Sequence, residues 1–311
     1  MSLQPEDQIK HYVIKDLIAE GGMGVVWRAW DFTQNAPVAI KAVANDLVAD
    51  QEFKVRMQDE ASRHQRLHHP NIVPVLDVFE ADGETCIVMK LIEGMSLDSL
   101  LASRVHNHLE PHEAIPIVQD ILRALDYAHQ HGVVHRDIKP TNVLLNNERQ
   151  ALLIDFGIAL AMGEKRRTRT GKTVGTPGYM SPEQITKPRS IDHRSDVYSL
   201  GCVFYEMLTG RPPFVKGRDG VADTEFAVLF AHVDKAPTHP KSLVSSIPSY
   251  LDELIMTSLE KDPNLRIPGC QEFLRLLERR DEPRRARSLR VKLLLSILLI
   301  GGILLMWIAT H

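Results

Sequence analysis

The stretch His135-Arg136-Asp137-Ile138-Lys139-Pro140-Thr141-Asn142, followed by Asp155-Phe156-Gly157, decides the fold of this chain. In it an Asp and an Asn stand five positions apart, and a second Asp comes directly after the apolar run 151–154, which is typical of a strand. Magnesium-dependent phosphoryl transfer needs two oxygen ligands for the cation and a separate carboxylate that orients the attacking hydroxyl and accepts its proton. The pattern therefore predicts a phosphoryl-transfer site.

Both segments resemble the catalytic and metal-binding loops of protein kinases. With the turn Gly21-Gly22-Met23-Gly24 and the segment Gly175-Thr176-Pro177-Gly178-Tyr179-Met180-Ser181-Pro182-Glu183, residues 12–280 are most similar to bacterial transmembrane Ser/Thr protein kinases of the eukaryotic-like protein kinase superfamily. The resemblance implies an α+β, two-lobed protein-kinase-like fold. It places a small β-rich N-lobe at 1–93 and a larger helical C-lobe at 94–280.

Local patterns agree with this division. Apolar runs with turn signals between them predict strands at 12–18, 25–29, 37–43, 73–80 and 85–89, interrupted by one helix at 51–67. After Gly94 the apolar period becomes 3.6 and predicts a helix that ends at His131-Gly132. Further helices are predicted at 195–208, 256–259 and 271–277.

The resemblance assigns a role to each polar residue of the site. Asp137 is the expected catalytic base, and Lys139 is expected beside the transferred phosphoryl group. Asn142 and Asp155 are the expected ligands of Mg²⁺ or Mn²⁺. Lysine at position 139 is typical of the Ser/Thr-specific members, so the expected reaction transfers the γ-phosphoryl group of ATP to Ser or Thr hydroxyls of protein substrates.

A lysine on the predicted third strand completes the set. Lys41, in Val38-Ala39-Ile40-Lys41, is expected to pair with the α- and β-phosphates of ATP. Its expected partner is Glu60 on the 51–67 helix, with Glu52 and Asp59 as competitors. Asp59 would point about 100° around the helix from Glu60, so only one of the two can meet the lysine.

Glycines between the first two predicted strands would let backbone N–H groups approach phosphates. Ala19 replaces the usual first glycine of this turn, and we expect modest weakening of nucleotide binding from it. Adenine is expected to bond the backbone of Lys90 and Ile92. The predicted ATP-binding residues are Ile18, Ala19, Gly21, Gly22, Met23, Gly24, Val26, Ala39, Lys41, Met89, Lys90, Ile92 and Leu145.

The segment between Asp155 and Glu183 corresponds to the activation loop of the family. Its centre, 165–173, carries five positive charges and three threonines. Thr168 and Thr170 are the expected autophosphorylation sites, together with Thr173, and the phosphates would pair with Arg136 and the arginines of the loop. Thr176 is expected to shape the pocket for the protein substrate.

Two later predictions are structural. Glu183 is expected to pair with Arg266, and Asp196 is expected to hold the backbone of the catalytic loop. The alternatives to an active protein kinase are a catalytically silent pseudokinase that binds nucleotide or a partner, and a small-molecule phosphotransferase of similar fold. An assay with labelled ATP separates the three.

Charge and cysteines exclude several other classes. The net charge is −3, but residues 279–292 hold seven Lys/Arg against two acidic residues, so the rest of the chain carries −8 and nucleic acid is not an expected partner. The three cysteines are scattered and odd in number, which argues against disulfides and a zinc site. The first twelve residues lack the apolar stretch of a secretory signal.

The C-terminal residues predict a membrane anchor. Residues 293–309 contain no charge and would extend about 25 Å as a helix, at the short limit for a bilayer. The basic linker 281–292 should stay cytoplasmic and contact anionic lipid. We therefore expect a single-pass tail anchor in the inner membrane with the kinase domain in the cytoplasm, and a transient homodimer for trans-autophosphorylation. A buried core helix is the alternative for 293–309.

Overall fold

The N-terminal part of the molecule is one six-stranded antiparallel sheet. The computed structural model describes residues 3–21, 24–43, 63–81, 84–156 and 177–279. The spatial order of the strands is β1-β2-β3-β4-β6-β5. They are β1 (Gln8–Ile9), β2 (Tyr12–Gly21), β3 (Gly24–Asp31), β4 (Ala36–Val43), β5 (Val75–Ala81) and β6 (Glu84–Lys90).

Strand β4 lies in the middle of this sheet and positions Lys41. Its last six residues are buried on both faces, which suits a nearly continuous run of small and β-branched apolar residues. Lys41 is paired with Val26 on one side and with Ile87 on the other. The lysine is thus held between two neighbouring strands, and its backbone position is fixed.

A second, three-stranded sheet follows, with the order β7-β8-β9. It contains β7 (Gly94–Ser96), β8 (Val143–Asn146) and β9 (Ala151–Leu153). Gly94 has a φ of +153°, and a Cβ on it would lie 1.9 Å from the carbonyl oxygen of Leu145. Only glycine allows β7 to lie this close to β8.

The helical part surrounds a large apolar core. Its helices are α1 (Leu97–Ala102), α2 (Pro111–Gln130), α3 (Pro182–Thr186), α4 (Arg194–Thr209), α5 (Glu225–Asp234), α6 (Pro240–Leu243), α7 (Ser249–Ser258) and α8 (Cys270–Arg279). Helix α2 buries the apolar stripe that the sequence predicted and ends at Gln130, with His131 as its C-cap. Helix α4 is buried over most of its surface, so it forms the centre of this core.

Main-chain hydrogen bonds join the segment after the 63–65 helical turn to β9. The N–H of Val73 donates to the Leu153 carbonyl (2.9 Å), and the N–H of Leu153 donates to the Asn71 carbonyl (2.9 Å). The side-chain amide of Asn71 also donates to the carbonyl of Ala151 at 2.8 Å. Residues 71–73 therefore connect the N-terminal part to the sheet beneath it.

The predicted elements agree with the structure apart from some bounds. Strand β5 begins two residues later than predicted, and the helix predicted at 256–259 spans Ser249–Ser258. Of the helix predicted at 51–67, only residues 63–67 fall within the described ranges, and of these 63–65 are helical. In those ranges no helix has the length and apolar character to cross a membrane. The linker 281–292 and the segment 293–309 lie outside them.

Candidate active site

The loop between α2 and β8 is held by a buried aspartate of α4. The carboxylate of Asp196 accepts the backbone N–H of His135 (2.9 Å) and of Arg136 (2.8 Å). Arg136 has a φ of +68°, a left-handed conformation that is unfavourable for a non-glycine residue. The two hydrogen bonds hold this conformation, which confirms the role predicted for Asp196.

Asp196 remains charged although it is fully buried. Burial by itself raises the pKa of this carboxyl, but the Nε2 atom of His129 at 2.7 Å and the backbone donors outweigh it, so the pKa is lowered. His129 lies at the end of α2. A charge inside α4 is thus compensated by groups from α2 and from the loop.

Asp137 is the centre of a small polar cluster. Its Oδ2 atom lies 2.8 Å from the Nζ atom of Lys139 and accepts a hydrogen bond of 2.9 Å from the side-chain amide of Asn142. The same amide donates to the backbone carbonyl of Asp137 at 2.8 Å. Because the Asn142 nitrogen is used twice, its oxygen faces away from Asp137.

Asp155 lies two residues beyond β9 and faces the N-terminal sheet. Its Oδ2 atom is 2.6 Å from the Nζ atom of Lys41, 114 positions away in the chain. Burial raises the pKa of Asp155, but the Lys41 ammonium outweighs it and the pKa is lowered. The other carboxylate oxygen, Oδ1, is buried without a hydrogen-bond partner in the described ranges.

Phe156 is packed between two imidazole rings. The ring centroids of His135 and His64 lie 4.5 Å and 5.1 Å from that of Phe156. His135 is buried, which lowers its pKa and keeps it neutral. It donates from Nε2 to the Ile154 carbonyl (2.9 Å), and its Nδ1 accepts the N–H of Asp137 (3.3 Å). These two hydrogen bonds fix the backbone at Asp137 and at Ile154, the residue before Asp155.

The predicted adenine-side residues lie along the two sheets. Ala39 and Met89 are cross-strand neighbours in β4 and β6, and both are buried. Leu145 is buried in β8. The N–H of Lys90 donates to the carbonyl of Pro74 at 3.1 Å, so a ligand can bond only the carbonyl of Lys90. Ile92 follows in the link between the sheets.

The backbone at Ala19 is that of a strand. Ala19 and Ile18 lie in β2, with Ala19 paired to Val26 of β3. This extended backbone suits alanine as well as glycine, because no positive φ is required. Ile18 is 44% exposed.

The two described glycines of this turn differ. Gly24 has a φ of +127°, and a Cβ on it would lie 2.0 Å from the carbonyl oxygen of Ala42. Around Gly21 a Cβ would meet no atom within 4 Å in the part of the chain that the structure describes. The sequence assigned both glycines to phosphate approach, but Gly24 is required by the contact between β3 and β4.

Several predicted residues lie outside the described ranges. Lys41 contacts Asp155, but nothing is described of its predicted partner Glu60 or of the competitors Glu52 and Asp59. The same holds for the residues predicted at the glycine turn and in the activation segment. They are Gly22, Met23, Thr168, Thr170, Thr173 and Thr176.

The predicted ion pair below the activation segment is confirmed. Arg266 donates from Nη1 and Nη2 to the two carboxylate oxygens of Glu183, at 2.6 Å and 2.7 Å. Ser195 donates its hydroxyl to the same carboxylate at 2.5 Å. Burial raises the pKa of Glu183, but these donors outweigh it and the pKa is lowered. The pair fixes α3 against the 263–266 region.

Sequence reasoning missed a half-buried carboxyl on α4. The hydroxyl of Tyr179 donates to Glu206 at 2.6 Å, and burial raises the pKa of Glu206 to about 7. The sequence did contain an indication of this site, because Glu206 is an acidic residue within an apolar helix that is buried on most sides. His64 and His129 were also missed, and their neighbours are too distant in sequence for any local pattern to indicate them.

Residues 12–276 match the family model described as "protein kinase domain". The chain belongs to the protein kinase family. It is 38% identical over 266 residues to serine/threonine-protein kinase PknE of Mycobacterium bovis, covering 86% of this chain and 45% of that protein. It is 36% identical over 275 residues to serine/threonine-protein kinase PknB of Mycolicibacterium smegmatis, covering 86% and 43%.

A solved structure shows the same fold. The crystal structure of the Mycobacterium tuberculosis PknI kinase domain has a TM-score of 0.72 and 27% identity, covering 90% of this chain and all of that one. The predicted two-lobed fold and the resemblance to bacterial Ser/Thr kinases are confirmed. The kinase spans somewhat under half the length of the curated relatives it matches. Membership of the family implies the use of ATP and a divalent cation.

Proposed function

We propose that this protein is a Ser/Thr protein kinase that transfers the γ-phosphoryl group of ATP to Ser or Thr hydroxyls of protein substrates. The observation that carries the proposal is the pairing of Lys41 with Asp155 at 2.6 Å beside the Asp137 cluster. Lys41 comes from the sheet and Asp155 from the segment after β9. Their contact brings the expected phosphate ligand and the expected metal ligand to one place.

Asp137 has the surroundings expected of the catalytic base. Its carboxylate is oriented by Asn142 and lies beside the Lys139 ammonium. It would orient the substrate hydroxyl and accept its proton, while Lys139 would stabilise the charge on the phosphoryl group in the transition state. A lysine at this position and the names of the relatives support Ser and Thr as acceptors.

The residues present fit a divalent cation. The Oδ1 atom of Asp155 is a buried oxygen without a partner among the described residues, and the amide oxygen of Asn142 is directed away from Asp137. Carboxylate and amide oxygens are the ligands that Mg²⁺ and Mn²⁺ prefer. A bound cation would neutralise phosphate charge, and Lys41 would hold the α- and β-phosphates.

Activation by phosphorylation is the second part of the proposal. The Nε atom of Arg136 is buried and has no hydrogen-bond partner in the part of the chain that is described. Phosphate groups on Thr168, Thr170 or Thr173 would supply strong acceptors for this guanidinium. Thr176 would shape the pocket for the protein substrate. Two copies would meet transiently for trans-autophosphorylation.

Membrane attachment is the third part. The uncharged segment 293–309 and the preceding basic linker support a single-pass helix in the inner membrane, with the linker against anionic lipid and the kinase domain in the cytoplasm. Anchoring would confine the enzyme to substrates that reach the membrane surface.

The assay that tests the main proposal uses labelled ATP, Mg²⁺ and a generic protein substrate, with Asp137→Asn as the matched control. We expect label on Ser and Thr of the substrate, and loss of at least about a thousandfold in rate for the variant. Nucleotide binding without any transfer would instead identify a pseudokinase. Label on small acceptors alone would identify a small-molecule phosphotransferase.

A further inference from the structure

A lysine that the proposed chemistry does not use lies at the C-terminal end of α5. Lys261 follows α7 in the chain and is half-buried. Its Nζ atom donates to the carbonyl oxygens of His232 (2.8 Å) and Ala231 (3.3 Å). The last carbonyls of a helix are the negative end of its dipole, so a cation is favourable there. Lys261 therefore ties the end of α5 to the segment after α7.

Two aromatic rings enclose the same ammonium group. The Nζ atom of Lys261 lies 4.7 Å from the ring centroid of Phe214 and 5.7 Å from that of Tyr198. Burial lowers the pKa of Lys261 to about 8, so the side chain is still mainly charged at pH 7. The ring faces and the two carbonyl groups replace water around this charge.

A polar path leads from this ammonium group to the turn before α3. The Nζ atom of Lys261 donates to the Tyr198 hydroxyl at 3.4 Å, and that hydroxyl lies 2.9 Å from Nδ1 of His232. Burial lowers the pKa of His232 to about 3, while the backbone of Gly178 acts in the opposite direction. Nε2 of His232 has no hydrogen bond of normal geometry in the described ranges, so Gly178 approaches the ring without forming an ideal one. The neutral imidazole thus lies between Tyr198 and this turn.

Helix α5 and the turn 177–179 lie next to the catalytic loop. The helix packs against the turn and against α3. Gln184 of α3 donates to the carbonyl of Arg136 at 2.7 Å, and Arg136 directly precedes Asp137. The expected nucleotide contacts come mainly from the N-terminal sheet, whereas α5, the turn and α3 belong to the helical part. A displacement of α5 should therefore affect the protein substrate before it affects ATP.

We propose that Lys261 is a positioning residue for the protein substrate, because it holds α5 and the turn 177–179 in place beside the catalytic loop. Its charge binds the end of α5, and Tyr198 and His232 connect that end to Gly178. Loss of the charge should weaken capture of the protein substrate and leave nucleotide binding intact. The inference rests on the proposed transfer to protein substrates and on the pocket expected at Thr176.

The test compares Lys261→Met with Lys241→Met in the full chain, with casein as the protein substrate. Methionine can still pack against the rings, but it has no charge and no donor. For Lys261→Met we expect KM for casein to rise at least about fivefold, and KM for ATP to change by less than about twofold. Lys241 is an exposed lysine of α6, so its replacement should change neither value. Lys261→Arg keeps the charge and the donors and should restore most of the parent's KM for casein.

Hydrogen–deuterium exchange gives a second readout that needs no activity. The N–H of Lys235 donates to the Ala231 carbonyl at 2.9 Å, close to the Lys261 ammonium. In Lys261→Met this amide and that of Gly178 should exchange faster than in the parent, and exchange in β4 should not change.

A folded Lys261→Met protein with the parent's KM for casein, or with the parent's exchange in α5, would overturn the proposal. An equal rise of both KM values would show general damage and contradict it as well. Lys261→Gln replaces the methionine variant if that one does not fold, and if neither folds, the lysine serves the fold and the proposal is wrong. If the parent labels no protein, the proposed function fails, and exchange in α5 alone decides the role of Lys261.

Discussion

At the scale of single residues, Gly21 and Gly24 of the same turn should respond differently to substitution. Gly24→Ala places a Cβ against the Ala42 carbonyl in a backbone that disfavours alanine. We expect the free energy of unfolding to fall by more than about 1 kcal/mol, which thermal unfolding measures. Gly21→Ala meets no atom of the described residues within 4 Å and should keep the parent Tm.

The same pair of variants separates stability from binding. If phosphates approach the backbone at Gly21, Gly21→Ala should weaken ATP binding while its Tm stays constant. Titration should then show a higher dissociation constant for ATP and an unchanged one for adenosine, which has no phosphates. Equal Tm losses in the two variants would contradict the structural distinction drawn between these glycines.

The half-buried carboxyl of Glu206 predicts a pH dependence of stability. Its pKa in the folded protein is about 7, whereas an unfolded glutamate has a pKa of about 4.3. Between these values the folded state binds the extra proton, so the free energy of unfolding falls as the pH rises toward about 7. Glu206→Gln carries no charge at any pH, and thermal unfolding from about pH 5 to pH 8 should show a shallower decline.

A surface variant provides the control for that measurement. Glu148 is exposed, so Glu148→Gln should keep the parent's pH dependence. A decline that is equally steep in Glu206→Gln and in the parent would show that other groups cause it.

At the scale of elements, the activation segment is anchored at both ends. Phe156 is packed between rings before it, and after it the Ser199 hydroxyl donates to the Tyr179 carbonyl at 2.8 Å. Gln184 of α3 donates to the carbonyl of Arg136 at 2.7 Å. The described residues on both sides of the segment therefore contact the catalytic loop, at His135 and at Arg136.

Autophosphorylation at Thr168 and Thr170 should therefore raise the initial rate, because each phosphate provides acceptors for Arg136. Mass spectrometry after incubation with ATP locates the modified sites. The Thr168→Ala/Thr170→Ala double variant should keep only the basal rate, and Asp137→Asn should carry no phosphate. A double variant as fast as the pretreated parent would exclude this switch.

Periodic elements could be predicted from the sequence and others could not. Helix α2 has apolar residues at 3.6 spacing, so its buried face was predicted correctly. Helix α5 is apolar on nearly every side, with Phe226 and Phe230 exposed, so no period indicated it. The spacing of Asp137, Asn142 and Asp155 indicated the chemistry. The contact of Lys41 with Asp155 depends on packing between distant segments, which no local pattern records.

At the scale of the whole molecule, membrane attachment is the prediction with the simplest test. The segment 293–309 is uncharged and follows a basic linker, so the full chain should stay in the membrane fraction through a carbonate wash. A shortened form ending at Arg280 should be soluble and retain phosphotransfer. Release of the full chain by the wash would contradict an integral anchor and leave a peripheral or core helix.

The hydrogen bonds that join residues 71–73 to β9 imply a pivot for opening of the cleft. The backbone N–H groups of Val73 and Leu153 donate hydrogen bonds between the two lobes there, each at 2.9 Å. When the cleft opens, the N-terminal sheet should therefore rotate about these hydrogen bonds without breaking them. In hydrogen–deuterium exchange the amides of Val73 and Leu153 should exchange among the slowest in the region. Bound nucleotide should slow amide exchange in β4, which carries Lys41, more than it slows exchange at these two amides. Fast exchange at Val73 would place the pivot elsewhere.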